Sequence, residues 1–280
     1  MTGSLLATLR RAWHQPGAQV AAAAVLGLIG FAIIGPILMP NWRAMPDLAA
    51  SAQPPSLSHP FGTDNLNRDV LARVAYGGRI SLSIAALAAL LSLTIGTGVG
   101  LAAGYVGGAL DAVVMRFVDA ALAIPRLFVL LLLLAVSDRV PLGAFIAVLG
   151  LTGWYGTSRL VRGEVLRVKR EPFVLAARGL GATAGRTIFR HLLPNVLGVV
   201  LVSAALAIGE VILLEAGLSF LGVGVQPPTP SWGAMVLDAR DALTTTPWTI
   251  VFPGMAILIT VLAVNVLSDA LRAAFDPRSA

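Results

Sequence analysis

Charge placed inside apolar sequence marks where this chain could do chemistry. Arg126, Glu210 and Glu215 each sit in long runs of Leu, Ile, Val and Ala, where a charge is costly and is kept when it faces a cavity, a substrate or a partner. Glu210 and Glu215 could take a substrate amine, hydrate a channel, or pair with an arginine on a neighbouring helix. Pathway lining and structural pairing therefore both stand for them at this point. Arg126 follows Pro125, which predicts a kink, and at 1.5 Å per residue it lies about 20 Å along its run. It is a third candidate for lining a pathway. Arg116 and Asp119 are three apart, the spacing of an ion pair on one helix face.

Constellations for catalysis are missing. Lys169 is followed by Arg170 and preceded by Val168, where a phosphate-binding G-x-x-x-x-G-K-[ST] loop requires Gly before its lysine, and no other lysine occurs. The chain therefore cannot hold that nucleotide site. Cysteine is absent, which excludes disulfides, a thiol nucleophile and cysteine metal ligands. His14, His59 and His191 are scattered, without the close pairing of a histidine metal site. Neither H-E-x-x-H nor G-x-S-x-G occurs. An intramembrane aspartyl protease would need paired membrane aspartates, and Asp119 alone is a candidate. The expectation is a chain that is not an enzyme and carries no cofactor of its own.

The elements that must position the charges are membrane helices. Residues are 57% hydrophobic and 12% charged, against roughly one quarter charged in a soluble domain. Apolar runs at 18–39, 80–104, 112–136, 140–160, 195–222 and 248–267 approach or exceed the length that crosses ~30 Å of hydrocarbon. They predict an all-α integral membrane protein with six transmembrane helices. The first run is too long for a signal-peptide core and has Pro36 and Pro40 where a small-residue cleavage site would lie, so it reads as a retained helix. A polar segment follows it, with turn chemistry at Gly62 and Asn65 and an amphipathic run from Arg68 that predicts a short interfacial helix. Gly96, Gly100, Gly104 and Gly108 recur every fourth residue, aligning them for close approach of another helix. Trp232, after three prolines, reads as an interfacial anchor of an ordered loop.

Lysine and arginine are biased to one side of these spans. Arg10, Arg11, Arg116, Arg159, Arg162, Arg167, Lys169, Arg170, Arg178, Arg186, Arg190, Arg272 and Arg278 share the side of the N-terminus, against Arg43, Arg68, Arg73, Arg79, Arg139 and Arg240 opposite, with Arg126 inside a span. Cytoplasmic N- and C-termini follow. The same bias accounts for the net charge of +6 without nucleic acid.

It also makes the stretch from Glu171 to Pro194 cytoplasmic. Pro172 suits a first helical position, Glu171 can cap the free N–H groups, and Gly179 and Gly181 can end the helix. Thr183 then caps a second short helix to Leu193, with Pro194 opening the next run. Small Ala176 and Ala177, flanked by Phe173, Val174 and Leu180, give the first helix a shape that a partner can approach closely.

Ala176-Ala177, Gly181 and Leu193-Pro194 resemble the "EAA" loop of the inner-membrane permease subunits of ATP-binding-cassette (ABC) importers. Leu175 and His191 depart from the general consensus, while Ala-Ala-Arg with His-Leu-Leu-Pro-Asn is similar to the dipeptide, oligopeptide and nickel branch (DppC/OppC type). The segment from His59 to Arg73 resembles the same branch's "FGTDxxGRDxxSR", with Asn67 where the family has Gly. Residues 215–235 and 265–277 again look like that branch. The resemblance implies a MetI-like, type I importer permease fold, with an N-terminal helix and extracytoplasmic segment over 1–79. A five-helix core over 80–280 then carries a coupling loop at 161–194. It implies ATPase coupling through Glu171, Phe173, Ala176, Ala177, Arg178 and Gly181. Expected partners are the lipid bilayer, a homologous second permease, a solute-binding protein and two ATPase subunits, which would hold the ATP and Mg. The bacterial plasma (inner) membrane is the expected location and di- or oligopeptides the expected cargo. Nickel or glutathione are alternatives within the branch, and an ion-coupled secondary transporter is an alternative outside it.

This topology has a direct test, made clean by the absence of native cysteine. Single cysteines at positions 58 and 229 should label from outside intact cells, and one at 176 only after permeabilisation. External labelling at 176 would invert the topology.

Overall fold

The computed structural model describes residues 10–40, 42, 51–137 and 139–275. Among them the regular structure is helical, with one isolated antiparallel bridge between Thr63 and Asp69. Helix α1 (Ala18–Leu38) is an unbroken apolar run with Pro36 in its last turn. Helix α2 (Val70–Val106) is the axis of the bundle. The Asp69 carboxylate caps it, accepting from the Ala72 N–H at 2.9 Å. The separate interfacial helix expected from Arg68 does not form, because α2 starts at Val70 and runs straight into the span. Gly77 and Gly78 do not break it. Their bare backbone is packing surface, and a Cβ at Gly78 would stand 2.8 Å from the Trp232 ring.

Helices α3 (Gly108–Leu122) and α4 (Arg126–Leu134) meet at 82°. The expected kink at Pro125 is thus a full break, with Pro125 in an extended conformation. Helices α5 (Leu142–Leu151) and α6 (Trp154–Val168) follow, then the short α7 (Pro172–Gly179). Helix α8 (Ala184–Phe220) runs without interruption through the point where two elements were expected to meet. A π turn over Thr187–Leu192 explains this. The Leu193 N–H reaches back to the Ile188 carbonyl, and the widened turn admits Pro194, whose ring and missing N–H would disrupt a regular α turn. Helix α9 (Trp232–Asp238) and helix α10 (Trp248–Phe275) complete the chain.

Four described helices, α1, α2, α8 and α10, are long and apolar enough to cross a membrane, and the bent α3–α4 pair is a fifth candidate. The remaining predicted span, 140–160, corresponds to α5 and the start of α6, two shorter helices separated at Thr152–Gly153. Of three buried clusters among the described residues, two position the site. Ile84, Ala88, Leu130, Phe145, Leu149 and Ile212 join α2, α4, α5 and α8. Leu101, Val161, Val165, Val174, Leu192 and Val196 join α2, α6, α7 and α8.

The glycine seam packs as expected along α2. Cβ atoms at Gly96, Gly100 and Gly104 would fall 2.8, 2.6 and 2.8 Å from atoms of α6. Gly108 does not belong to the seam: it opens α3 at φ +61° and faces open space. Gly100→Leu should therefore cost about 1–3 kcal/mol through overpacking and lower the melting temperature in detergent. Gly98→Leu, where a Cβ would meet nothing within 4 Å, is the control and should not. Equal melting temperatures would contradict the α2–α6 seam.

Candidate functional site

Helix α7 is built as predicted at its core and differently at its start. Pro172 occupies the first turn and Glu171 the N-cap position, but the Glu171 side chain makes no capping bond. Arg167 draws it away, donating to Glu171 Oε1 at 3.3 Å and to Glu164 Oε1 at 2.6 Å. Hydrogen bonding to Glu164 holds the Arg167 guanidinium pKa above its ordinary value. At the other end the Gly181 N–H bonds to the Arg178 carbonyl and the Ala182 N–H to the Ala177 carbonyl. That paired closure needs a left-handed residue, and Gly181 supplies it at φ +83°. Thr183 caps the following turn as expected, accepting from the Arg186 N–H.

Phe173, Ala176, Ala177 and Leu180 follow i, i+3, i+4, i+7 spacing and share one face. Phe173, Ala176 and Leu180 are exposed, with two small residues forming a saddle between two large ones. Val174 is fully buried in the valine cluster and fastens α7 to α2, α6 and α8. Arg178 turns back over the Tyr105 ring, 5.9 Å from its centroid, beside Lys169, which donates to the Tyr105 carbonyl near the end of α2. Both cations sit where the helix's free carbonyls favour positive charge.

The structure brings Arg126 and Glu210 together. Arg126 Nη1 donates to Glu210 Oε1 at 2.7 Å, Nη2 to the Leu149 carbonyl at 2.5 Å, and Nε to Thr152 Oγ1 at 3.4 Å. A cavity of about 250 Å³ lies beside the pair. Glu215, grouped with them on sequence, is elsewhere and 1% exposed. Its Oε1 accepts from Ser219 Oγ at 2.8 Å and Ser231 Oγ at 2.7 Å, and its Oε2 from Ser81 Oγ at 2.9 Å. In this conformation Glu215 fronts no open path, since three hydroxyls enclose it. Asp119 accepts from Arg159, not from Arg116, because α6 places a guanidinium closer than the neighbouring turn does. Trp232 is no interfacial anchor. It is 1% exposed and its Nε1–H donates to the Val74 carbonyl at 2.9 Å, with α9 folded back onto α2.

Opposite polarity gathers beyond α2's N-terminus. Arg73, 5% exposed, donates to Asp64 Oδ2 at 2.6 Å and Asp238 Oδ2 at 2.9 Å, and Arg68 joins Asp64 at 2.7 Å. The loop leading there turns at Asn67 with φ +53°, a left-handed conformation that Gly and Asn both accept.

Residues 96–280 match the family of binding-protein-dependent transport system inner membrane components. The chain belongs to this family. It is 41% identical over 255 residues to the dipeptide transport system permease protein DppC of Bacillus subtilis, covering 91% of this chain and 79% of that one. It is 40% identical over 263 residues to the oligopeptide transport system permease protein OppC of the same organism, covering 93% and 85%. The corresponding OppC of Haemophilus influenzae is 38% identical over 278 residues, covering 98% and 89%. As an inner-membrane transport component, the protein is a multi-pass membrane permease.

Sequence reasoning found this permease's charged residues in its apolar runs but not their partners. Ser219 and Ser231 lie in the 215–235 stretch that resembles the branch, but nothing in the sequence ties them or Ser81 to Glu215, and only their convergence on it distinguishes them. Glu215→Ala strands three buried hydroxyls, and each buried polar group left unpaired costs about 1–3 kcal/mol. We expect it to lower the yield of assembled complex and transport together. Glu210→Ala, at a half-exposed carboxylate, should lower transport more than assembly. Transport lost at Glu215 with assembly intact would return that residue to the pathway.

Proposed function

We propose that this chain is one transmembrane permease subunit of an ATP-driven importer of di- and oligopeptides. Support comes from its identity of about 40% to dipeptide and oligopeptide permeases across most of its length. In this reading a homologous second permease completes the pathway, two cytoplasmic ATPases carry ATP and Mg, and a solute-binding protein delivers peptide on the other side. Both termini lie in the cytoplasm.

The observation that carries the mechanism is the two-faced α7. Its outward face presents Phe173, Ala176, Ala177 and Leu180 to an ATPase cleft, with Glu171, Arg178 and Gly181 at the helix's ends. Its inward Val174 is packed among side chains from three other helices. Because the cluster is fully packed, α7 cannot move alone. Closure of the ATPases on ATP would draw α7 inward, and α2, α6 and α8 would follow, tilting between inward-open and outward-open states. In this scheme Arg126 and Glu210 line the pathway.

Helix-in-groove docking fails when a charge is driven into the contact, at a cost of several kcal/mol if it is buried without a partner. Ala177→Glu should leave the membrane fold and the second permease bound, while abolishing solute-stimulated ATPase activity and uptake. Gly181→Trp should do the same, with added strain because position 181 is left-handed. Arg186→Ala, beyond the closure, should be milder. Normal uptake and ATPase binding in Ala177→Glu would show that α7 is not the coupling element.

A further inference from the structure

The ion pair between Arg126 and Glu210 is asymmetric. Arg126 is its held end. The guanidinium lies against the C-terminal carbonyls of α5, where the helix end favours a cation, and donates to both Leu149 O and Thr152 Oγ1. Its side chain is 20% exposed. Gly153 makes the room: a Cβ there would stand 2.8 Å from Arg126 Nη2 and 2.8 Å from Ser92 Oγ. Glu210 is the loose end. Its side chain is 57% exposed, and among the described residues it bonds to Arg126 alone, at 2.7 Å. One edge of an immobilised guanidinium is thus closed by a carboxylate that is free to swing away.

The cavity of about 250 Å³ opens beside that edge, with Pro125, Val129, Tyr155 and Gly156 among its walls. Ligand pockets that enclose drug-sized molecules begin at about 300 Å³, so the space suits the end of a peptide more than a whole one. Its wall mixes apolar surface with the two opposed charges. A terminal carboxylate can replace Glu210 on the guanidinium without moving Arg126. The exchange of one charge-assisted hydrogen bond for another leaves Arg126 satisfied throughout and frees Glu210 for a cation.

We propose that the cavity between the α4 break and Glu210 is a transit station for the C-terminal carboxylate of the transported peptide, which displaces Glu210 from Arg126. Arg126 is the recognising group, Gly153 the positioning residue that admits it, and Glu210 the occupant that keeps the guanidinium satisfied between substrates. The proposal rests on the peptide-importer reading and adds to it the end of the peptide that the membrane domain reads. It also gives the 82° break a purpose, since a continuous helix through Pro125 would not bring Arg126 to the end of α5.

The test uses the assembled transporter in nanodiscs with Gly156→Cys as reporter, a position where a Cβ meets nothing within 4 Å. The rate of modification by N-ethylmaleimide is read on this chain by mass spectrometry. Dialanine and N-acetyl-dialanine, which keep the carboxylate, should slow it about tenfold, as one charge-assisted contact would. Dialaninamide, which lacks the carboxylate, should not. Arg126→Gln should abolish protection by the first two. Equal protection by dialanine and dialaninamide, or none by either, overturns the station, and this comparison needs no variant to fold. Uptake of dialanine by the unmodified complex separates the two levels of inference. Uptake without protection overturns the station and leaves the peptide reading intact, whereas no uptake of dialanine overturns both.

Discussion

A carboxyl group buried at 1% exposure must find its hydrogen-bond donors inside the protein, and for Glu215 the donors are Ser219 one turn on in α8, Ser231 at the start of α9 and Ser81 far back in α2. Each hydroxyl also accepts a backbone N–H: Ser81 from Trp232, Ser219 from Val225 and Ser231 from Ala234. The same carboxyl group therefore holds α8 to α2, closes the loop after α8 and caps α9. Satisfying one buried carboxyl group orders four segments at once, and removing any donor leaves its partners to the cost of an unpaired polar group. Around this point α9 packs its Trp232 onto the bare backbone of Gly78, so the axis helix α2 is gripped from the outer end of the bundle.

At the opposite end the grip on α2 is apolar. The valine cluster and the glycine seam against α6 make α2, α6, α7 and α8 move as a packed unit, and close-packed interiors pass displacement on instead of absorbing it. Between these two ends lies the sharp break at Pro125, and beside it Arg126 and Glu210 form their ion pair. A packed hub at one end, a packed unit carrying α7 at the other and a break between them are the parts that the alternating-access scheme proposed above would use.

Much of this was legible along the chain because the physical signals are local. Apolar runs report membrane helices, and every spanning helix coincides with one of them. Pro172, Gly181 and Thr183 act within a few residues of themselves, so the start and end of α7 and the cap that follows it were readable. Gly96, Gly100 and Gly104 declare a close helix contact by their spacing alone. Misreadings came where a local signal competes with packing: Arg68 as the start of a separate interfacial helix, Pro194 as a helix start, Trp232 as an interfacial anchor. In each case a partner, or a π turn, made the residue compatible with a longer or more buried arrangement.

By itself, then, the sequence determined which stretches cross apolar surroundings, which short helix sets small residues between large ones, and which charges are too costly to be accidental. Only the tertiary structure decided where those charges go. Arg126 and Glu210 are 84 residues apart, Ser81 and Glu215 are 134 apart, and Arg73 and Asp238 are 165 apart. A hydrogen bond acts over about 3 Å, so its cost or benefit depends on the contact that folding creates, and the intervening residues carry no record of it. Helix periodicity is written in neighbours; charge pairing is written in the packing of helices.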